Sequence, residues 1–77
     1  MEATGRLFPP AVQRPALTPR ELVVLRHLAE GHPLSDIARD LGLSVNTIKT
    51  QASSLYRKLG ASTRRQAVDA AAREGFL

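Results

Sequence analysis

Seventy-seven residues suffice for one domain with a modest core and leave little room for a deep catalytic cleft. With no cysteine, neither a disulfide nor a thiolate metal site can hold the chain together, and Phe8, Tyr56 and Phe76 are too few aromatics for a single-strand stacking platform. The net charge of +4 lies in the second half: five Arg cancel five acids up to Asp40, whereas residues 41–77 carry six bases against Asp69 and Glu74.

Residues 1–16 read as a tail or interdomain linker. Pro9, Pro10 and Pro15 favour an extended spacer over a helix, although Leu7, Phe8 and Val12 offer apolar groups that can dock on the domain. The domain proper is expected over residues 17–77. Thr18-Pro19-Arg20-Glu21 is a helix start: Thr18 caps the free amides, Pro19 suits the first helical position, and Glu21 reaches back as the capping-box partner. Val24, Leu25 and Leu28 mark the apolar face of this helix, which should stop near Glu30-Gly31, with Val23 on the outer side.

A short second helix follows Pro33, with Leu34, Ile37, Ala38 and Leu41 on one face. Gly42-Leu43-Ser44 is a turn that supplies a left-handed stop and then a new N-cap. In the third helix, about 45–59, Val45, Ile48, Ala52, Leu55 and Leu59 form the inward stripe, and Gly60 ends it. Thr63 and Gln66 are spaced as another capping box, opening a fourth helix with Ala67, Val68 and Ala71 inward and Gly75 as its stop. The expected fold is all-α, a four-helix bundle.

The pair from Leu34 to about Leu59 has the layout of a helix-turn-helix. A short supporting helix, a small residue at the crossing (Ala38) and a tight turn present the outer face of the next helix to a groove. That outer face is Asn46, Thr47, Lys49, Thr50, Ser53 and Arg57, and no acid occurs between Leu41 and Val68. Hydrogen-bonding groups without negative charge suit double-stranded DNA, and Ser44 with the first amides of the helix offers a phosphate site. The competing reading is an ordinary helical bundle, or a protein-interaction module, with a solvated basic face. A sigma-factor-like promoter domain shares the helix pair but generally lacks the fourth helix.

Other constellations read as structural. His27 and His32 have no obvious third ligand, so no metal is expected. Asp36 and Asp40 form a solvated face beside Arg39, while Arg64 and Arg65 divide between phosphate contact and solubility. No nucleophile triad, phosphate loop or cofactor motif occurs, so neither an enzyme nor a cofactor is expected. No apolar run approaches the roughly 18 residues of a membrane span, and Met1-Glu2-Ala3 does not open a signal peptide. A cytoplasmic protein without membrane contact is expected.

Leu17-Thr18-Pro19-Arg20-Glu21, Val24-Leu25, Ala29-Glu30-Gly31, Ile37-Ala38, Leu41-Gly42-Leu43-Ser44, Asn46-Thr47-Ile48-Lys49-Thr50 and Tyr56 to Arg64 together resemble the LuxR/GerE-type DNA-binding domains, FixJ- and NarL-like, that form the C-terminal output domain of bacterial transcription regulators. The resemblance covers residues 17–77. It implies that the third helix is the recognition helix, with Lys49 on bases and phosphates, Thr50 on a base edge and Thr47 on the backbone. Ser44, Asn46, Ser53, Arg57 and Lys58 are further DNA contacts in this reading. The fourth helix then supplies a homodimer contact through Val68, Ala71 and Ala72. An upstream regulatory domain, such as a receiver, a ligand sensor or an ATPase, is the implied neighbour, and RNA polymerase a partner the resemblance allows. Gln51, Ala52 and Ser53 depart from what similar domains usually carry, toward weaker intrinsic affinity, and His32-Pro33 replaces the usual cap of the second helix.

Overall fold

Four helices follow one another in the computed structural model, which describes residues 16–77: α1 (Pro19–Ala29), α2 (Leu34–Leu41), α3 (Val45–Leu59) and α4 (Arg64–Arg73). There is no strand among the described residues. Of the expected tail only Ala16 is included, so the docking of Leu7, Phe8 and Val12 lies outside the described residues.

The start of α1 forms as its residues dictate. The Thr18 hydroxyl accepts from the Glu21 amide at 3.1 Å, while a Glu21 carboxylate oxygen accepts from the Thr18 amide at 2.9 Å. Two otherwise unpaired amides are thereby satisfied. Pro33 precedes α2 without a side-chain cap, in keeping with the His32-Pro33 departure, whereas Ser44 caps α3 by accepting from the Thr47 amide at 3.1 Å. The last box is displaced by one residue. Thr63 caps the Gln66 amide, but the Gln66 side chain accepts from Ser62, not from Thr63.

All four helices end in the same pair of hydrogen bonds. An amide just past a glycine of positive φ returns to a carbonyl five residues back, and the glycine amide returns to the third residue back. At the turn between α2 and α3 these are Leu43 to Ala38 at 2.9 Å and Gly42 to Arg39 at 3.2 Å. Gly42 sits at φ +68°, where a β-carbon would crowd the backbone, so glycine sets how sharply α3 leaves α2.

α3 is the central element, packing against α1, α2 and α4. Val24, Leu25, Leu28, Ile37, Ile48, Leu55 and Ala71 are buried to within 1% and, with Ala38, form the core, while Leu17, Leu34, Leu41, Leu59 and Phe76 close its edges. Three details differ from the sequence expectation. Val45 is 38% exposed, because it occupies the first turn of α3 and projects past the end of the packed stripe. Val23 is half-buried rather than outward. In α4 the packed stripe is Ala67, Ala70 and Ala71, and Val68 lies at its margin.

Leu55 sits wholly inside, where α3 meets its neighbours. Truncation removes its transfer energy and leaves a cavity, so Leu55→Ala is expected to cost about 3 kcal/mol in urea-unfolding free energy. A loss below about 1 kcal/mol would contradict this packing.

Candidate nucleic-acid interface

The face of α3 opposite Ile48, Ala52 and Leu55 contains Asn46, Lys49, Thr50, Ser53 and Arg57, all exposed. At 100° per residue, Asn46, Thr50, Ser53 and Arg57 line up one above the other, with Lys49 beside them. Thr47 is also exposed and flanks the row from the first turn. Local bonds hold the start of this row in place. The Thr47 hydroxyl lies 2.9 Å from that of Ser44, and the Thr50 hydroxyl donates to the Asn46 carbonyl at 3.1 Å. Ser44 and Thr47 thus stand at the amino end of α3, where the first amides and the helix dipole attract negative charge.

The basic residues of 41–77 are not equivalent. Lys49 and Arg57 meet no carboxylate among the described residues, so their charge is directed outward from α3. Lys58 and Arg64 are engaged in the fold. Lys58 Nζ donates to Glu21 Oε1 at 2.8 Å and to the Ala16 carbonyl at 3.1 Å. Arg64 Nη1 donates to the His32 carbonyl at 2.6 Å, tying the start of α4 to the turn after α1. Arg65 is exposed, 3.9 Å from Asp69.

The sequence reading puts Lys58 on DNA; in the fold its ammonium is bound to the amino end of α1. The reason is its position 120° round α3 from Asn46, on the side facing α1. Glu21, buried at 6% exposure, accepts from Lys58, from the Ser54 hydroxyl at 3.1 Å and from the Thr18 amide. Burial by itself would raise its pKa. The Lys58 ammonium, the Thr18 amide and the Ser54 hydroxyl outweigh that effect and hold the carboxyl below its ordinary range. One carboxylate thus fixes the carboxyl-terminal half of α3 against the start of α1.

One further residue is placed differently from expectation. Ala71, expected at a dimer contact, is fully buried in the core cluster because it continues the Ala67–Ala70 stripe. Of that trio only Ala72 is exposed and Val68 half-buried. Gln51 lies off the row, about 140° round α3 from Asn46, half-buried, and its Oε1 finds no hydrogen-bond partner among the described residues. Capping patterns announced Glu21, but its bonds to Ser54 and Lys58, 33 and 37 residues away, have no local signal.

A short helix, a glycine turn and a second helix whose outer face is polar and free of acids define a helix-turn-helix domain. The chain belongs to the family described as bacterial regulatory proteins, luxR family (GerE), which matches residues 15–71. It is 44% identical over 61 residues to the transcriptional regulatory protein YdfI of Bacillus subtilis (strain 168), covering 79% of this chain and 29% of that protein. It is 45% identical over 65 residues to the HTH-type transcriptional activator RamA of Corynebacterium glutamicum, covering 84% and 23%. The chain thus spans less than a third of either relative.

Among solved structures, the response regulator ChrA of a heme-sensing two-component system is similar at a TM-score of 0.79 and 32% identity, over 88% of this chain and 34% of that one. The Vibrio cholera VqmA–ligand–DNA complex gives 0.73 and 38%, over 79% and 27%. The family and the two curated relatives are regulators of transcription, not enzymes. No helix among the described residues is long and apolar enough to cross a membrane.

A carboxylate whose pKa is lowered by folding stabilises the fold fully above its unfolded value, and that stability is lost as pH falls through the folded value. Glu21→Gln is therefore expected to lower stability at pH 7 by about 1–3 kcal/mol. It should also flatten the decline of the thermal midpoint at pH values below the ordinary 4.5 of this carboxyl. Superimposable wild-type and variant midpoints from pH 7 down to pH 3 would show that the contact has no energetic role.

Proposed function

We propose that this chain binds double-stranded DNA by laying α3 in the major groove, as the output domain of a bacterial transcription regulator. The observation that carries this reading is the outer row of α3. Asn46, Lys49, Thr50, Ser53 and Arg57 are exposed on one helix face, with two cations that no carboxylate neutralises among the described residues. An α-helix fits the major groove, and side chains of these types hydrogen-bond to base edges there. In this role Lys49 reaches bases and phosphates, Thr50 and Asn46 read base edges, and Ser53 and Arg57 extend the contact along the groove. Ser44, Thr47 and the first amides of α3 hold a phosphate. Lys58 acts indirectly by keeping α3 in place.

Homodimerisation on DNA is part of the proposal, with half-sites spaced to match the two-fold of the pair. The surface available for it on α4 is Val68 and Ala72, without Ala71. So small an apolar surface buries far less than a stable interface needs, so DNA must hold the pair together. A regulatory domain upstream of the residue 1–16 linker, in the full-length protein, supplies the control, and RNA polymerase is the machinery addressed. Both act in the cytoplasm, where bacterial DNA lies.

Fluorescence anisotropy on a labelled duplex at low salt tests the assignment of Lys49. Lys49→Ala is expected to weaken binding about tenfold and to reduce the slope of log affinity against log salt by about one. Far-UV circular dichroism should be unchanged, since Lys49 is exposed. Undiminished affinity and slope would move the contact surface off α3.

A further inference from the structure

We propose that the closing turn of α1 is a binding site for a borderline divalent transition ion, Zn²⁺ being the best match, held by His27, Glu30 and His32. The way each helix closes brings two particular residues together. When an amide returns to the carbonyl five residues back, the side chains of those two residues become neighbours, and apolar pairs usually fill the positions. Three of the four helix ends follow the custom, with Ala38 and Leu43, Tyr56 and Ala61, and Ala71 and Phe76. At the end of α1 the amide of His32 returns to the carbonyl of His27 at 3.2 Å, and the pair is two imidazoles.

The two rings face each other through nitrogen. Their Nδ1 atoms are 3.1 Å apart, with the rings tilted by 60°. Two nitrogens bound to one tetrahedral Zn²⁺ at 2.0–2.1 Å stand about 3.3 Å apart. The observed separation therefore needs only a small adjustment. Glu30 lies between the two histidines in sequence, and ligand atoms of the three residues all fall within 4.8 Å of one another. Its nearest approach is to His32 Nε2, at 3.5 Å. Closing on the ion requires the carboxylate to swing toward the Nδ1 pair, which a side chain 65% exposed does without disturbing the core.

The surroundings fit a cation. The carboxyl end of α1 presents its negative dipole to the site, and Glu30 adds a formal charge. Arg64 opposes this, but its guanidinium is directed to the backbone carbonyls of His32, at 2.6 Å, and Leu28, at 3.5 Å. The two Nδ1 atoms hydrogen-bond to each other, and an ion replaces the proton between them, which moves to the Nε2 of its ring. Two imidazoles and one carboxylate suit zinc, nickel or copper and not the hard ions magnesium or calcium. A fourth position stays open for water or for a donor from another molecule. A bound ion would staple the last turn of α1 to the segment that leads into α2, on the frame of the domain and away from the outer row of α3.

The 77-residue chain contains two histidines and no cysteine, so every imidazole signal belongs to this site. ZnCl₂ is titrated into the whole chain at pH 7.5, with heat measured by calorimetry and both imidazoles followed by NMR. One ion per chain is expected, with the His27 and His32 signals moving together and no movement on adding MgCl₂. His27→Gln and His32→Gln should each weaken zinc binding at least tenfold, since loss of even an outer-shell partner commonly costs about that much. Lys49→Ala should bind zinc as the wild type does. Absence of a saturable zinc response, movement of one imidazole alone, or affinity retained in both Gln variants would overturn the proposal. The wild-type NMR result decides the matter even if a variant fails to fold.

Discussion

α3 has to satisfy two demands along one set of 15 residues. One side must be gripped by the rest of the domain, and the other must be left bare. Ile48, Ala52 and Leu55 meet the first demand by filling the space between α1, α2 and α4. Apolar burial holds the helix but resists sliding and rotation poorly, because it is non-directional. Directional constraint comes from the ends. Gly42 and Ser44 set where α3 begins, and Glu21 holds its second half through Ser54 and Lys58. The exposed row is thereby aimed by contacts made entirely on its other sides.

Electrostatics follows the same division. A basic excess in the second half of the chain does not by itself say which cations face outward. The fold uses Lys58 to satisfy a buried carboxylate and Arg64 to satisfy the carbonyl of His32 and thus tie the start of α4 to the turn after α1. Lys49 and Arg57 stand on the exposed row of α3 with no carboxylate partner among the described residues. Their charge is therefore screened by solvent and salt. A polyanion is the natural complement of such a row.

Most of the fold was legible in the residues. Caps at Thr18, Ser44 and Thr63, stops at Gly31, Gly42 and Gly60, and the apolar stripes all act over one or two helical turns. Local rules therefore reach them, and the four helices lie where these signals put them. What escaped was set by partners distant in sequence. Lys58 looked like one more outward base because Glu21 is 37 residues away, and Arg64 found its carbonyl 32 residues back. Ala71 was legible as a core residue from spacing, and its second expected role, on a dimer surface, is incompatible with that burial. Glu30 was read as part of a helix stop, and only the geometry of the closing turn brings it to the two histidines.

Residue-resolved titration tests the groove-facing assignment most directly. The isotopically labelled chain is followed by backbone amide NMR while a generic duplex is added at low salt and the salt is then raised. The account expects shifts concentrated on Ser44 to Arg57 that fade with salt, with little change in α4 beyond its exposed Val68–Ala72 side. Shifts scattered over α4 and the rest of the chain, or none at all, would contradict it. The acid-free face of α3 would then have to be explained by a protein partner.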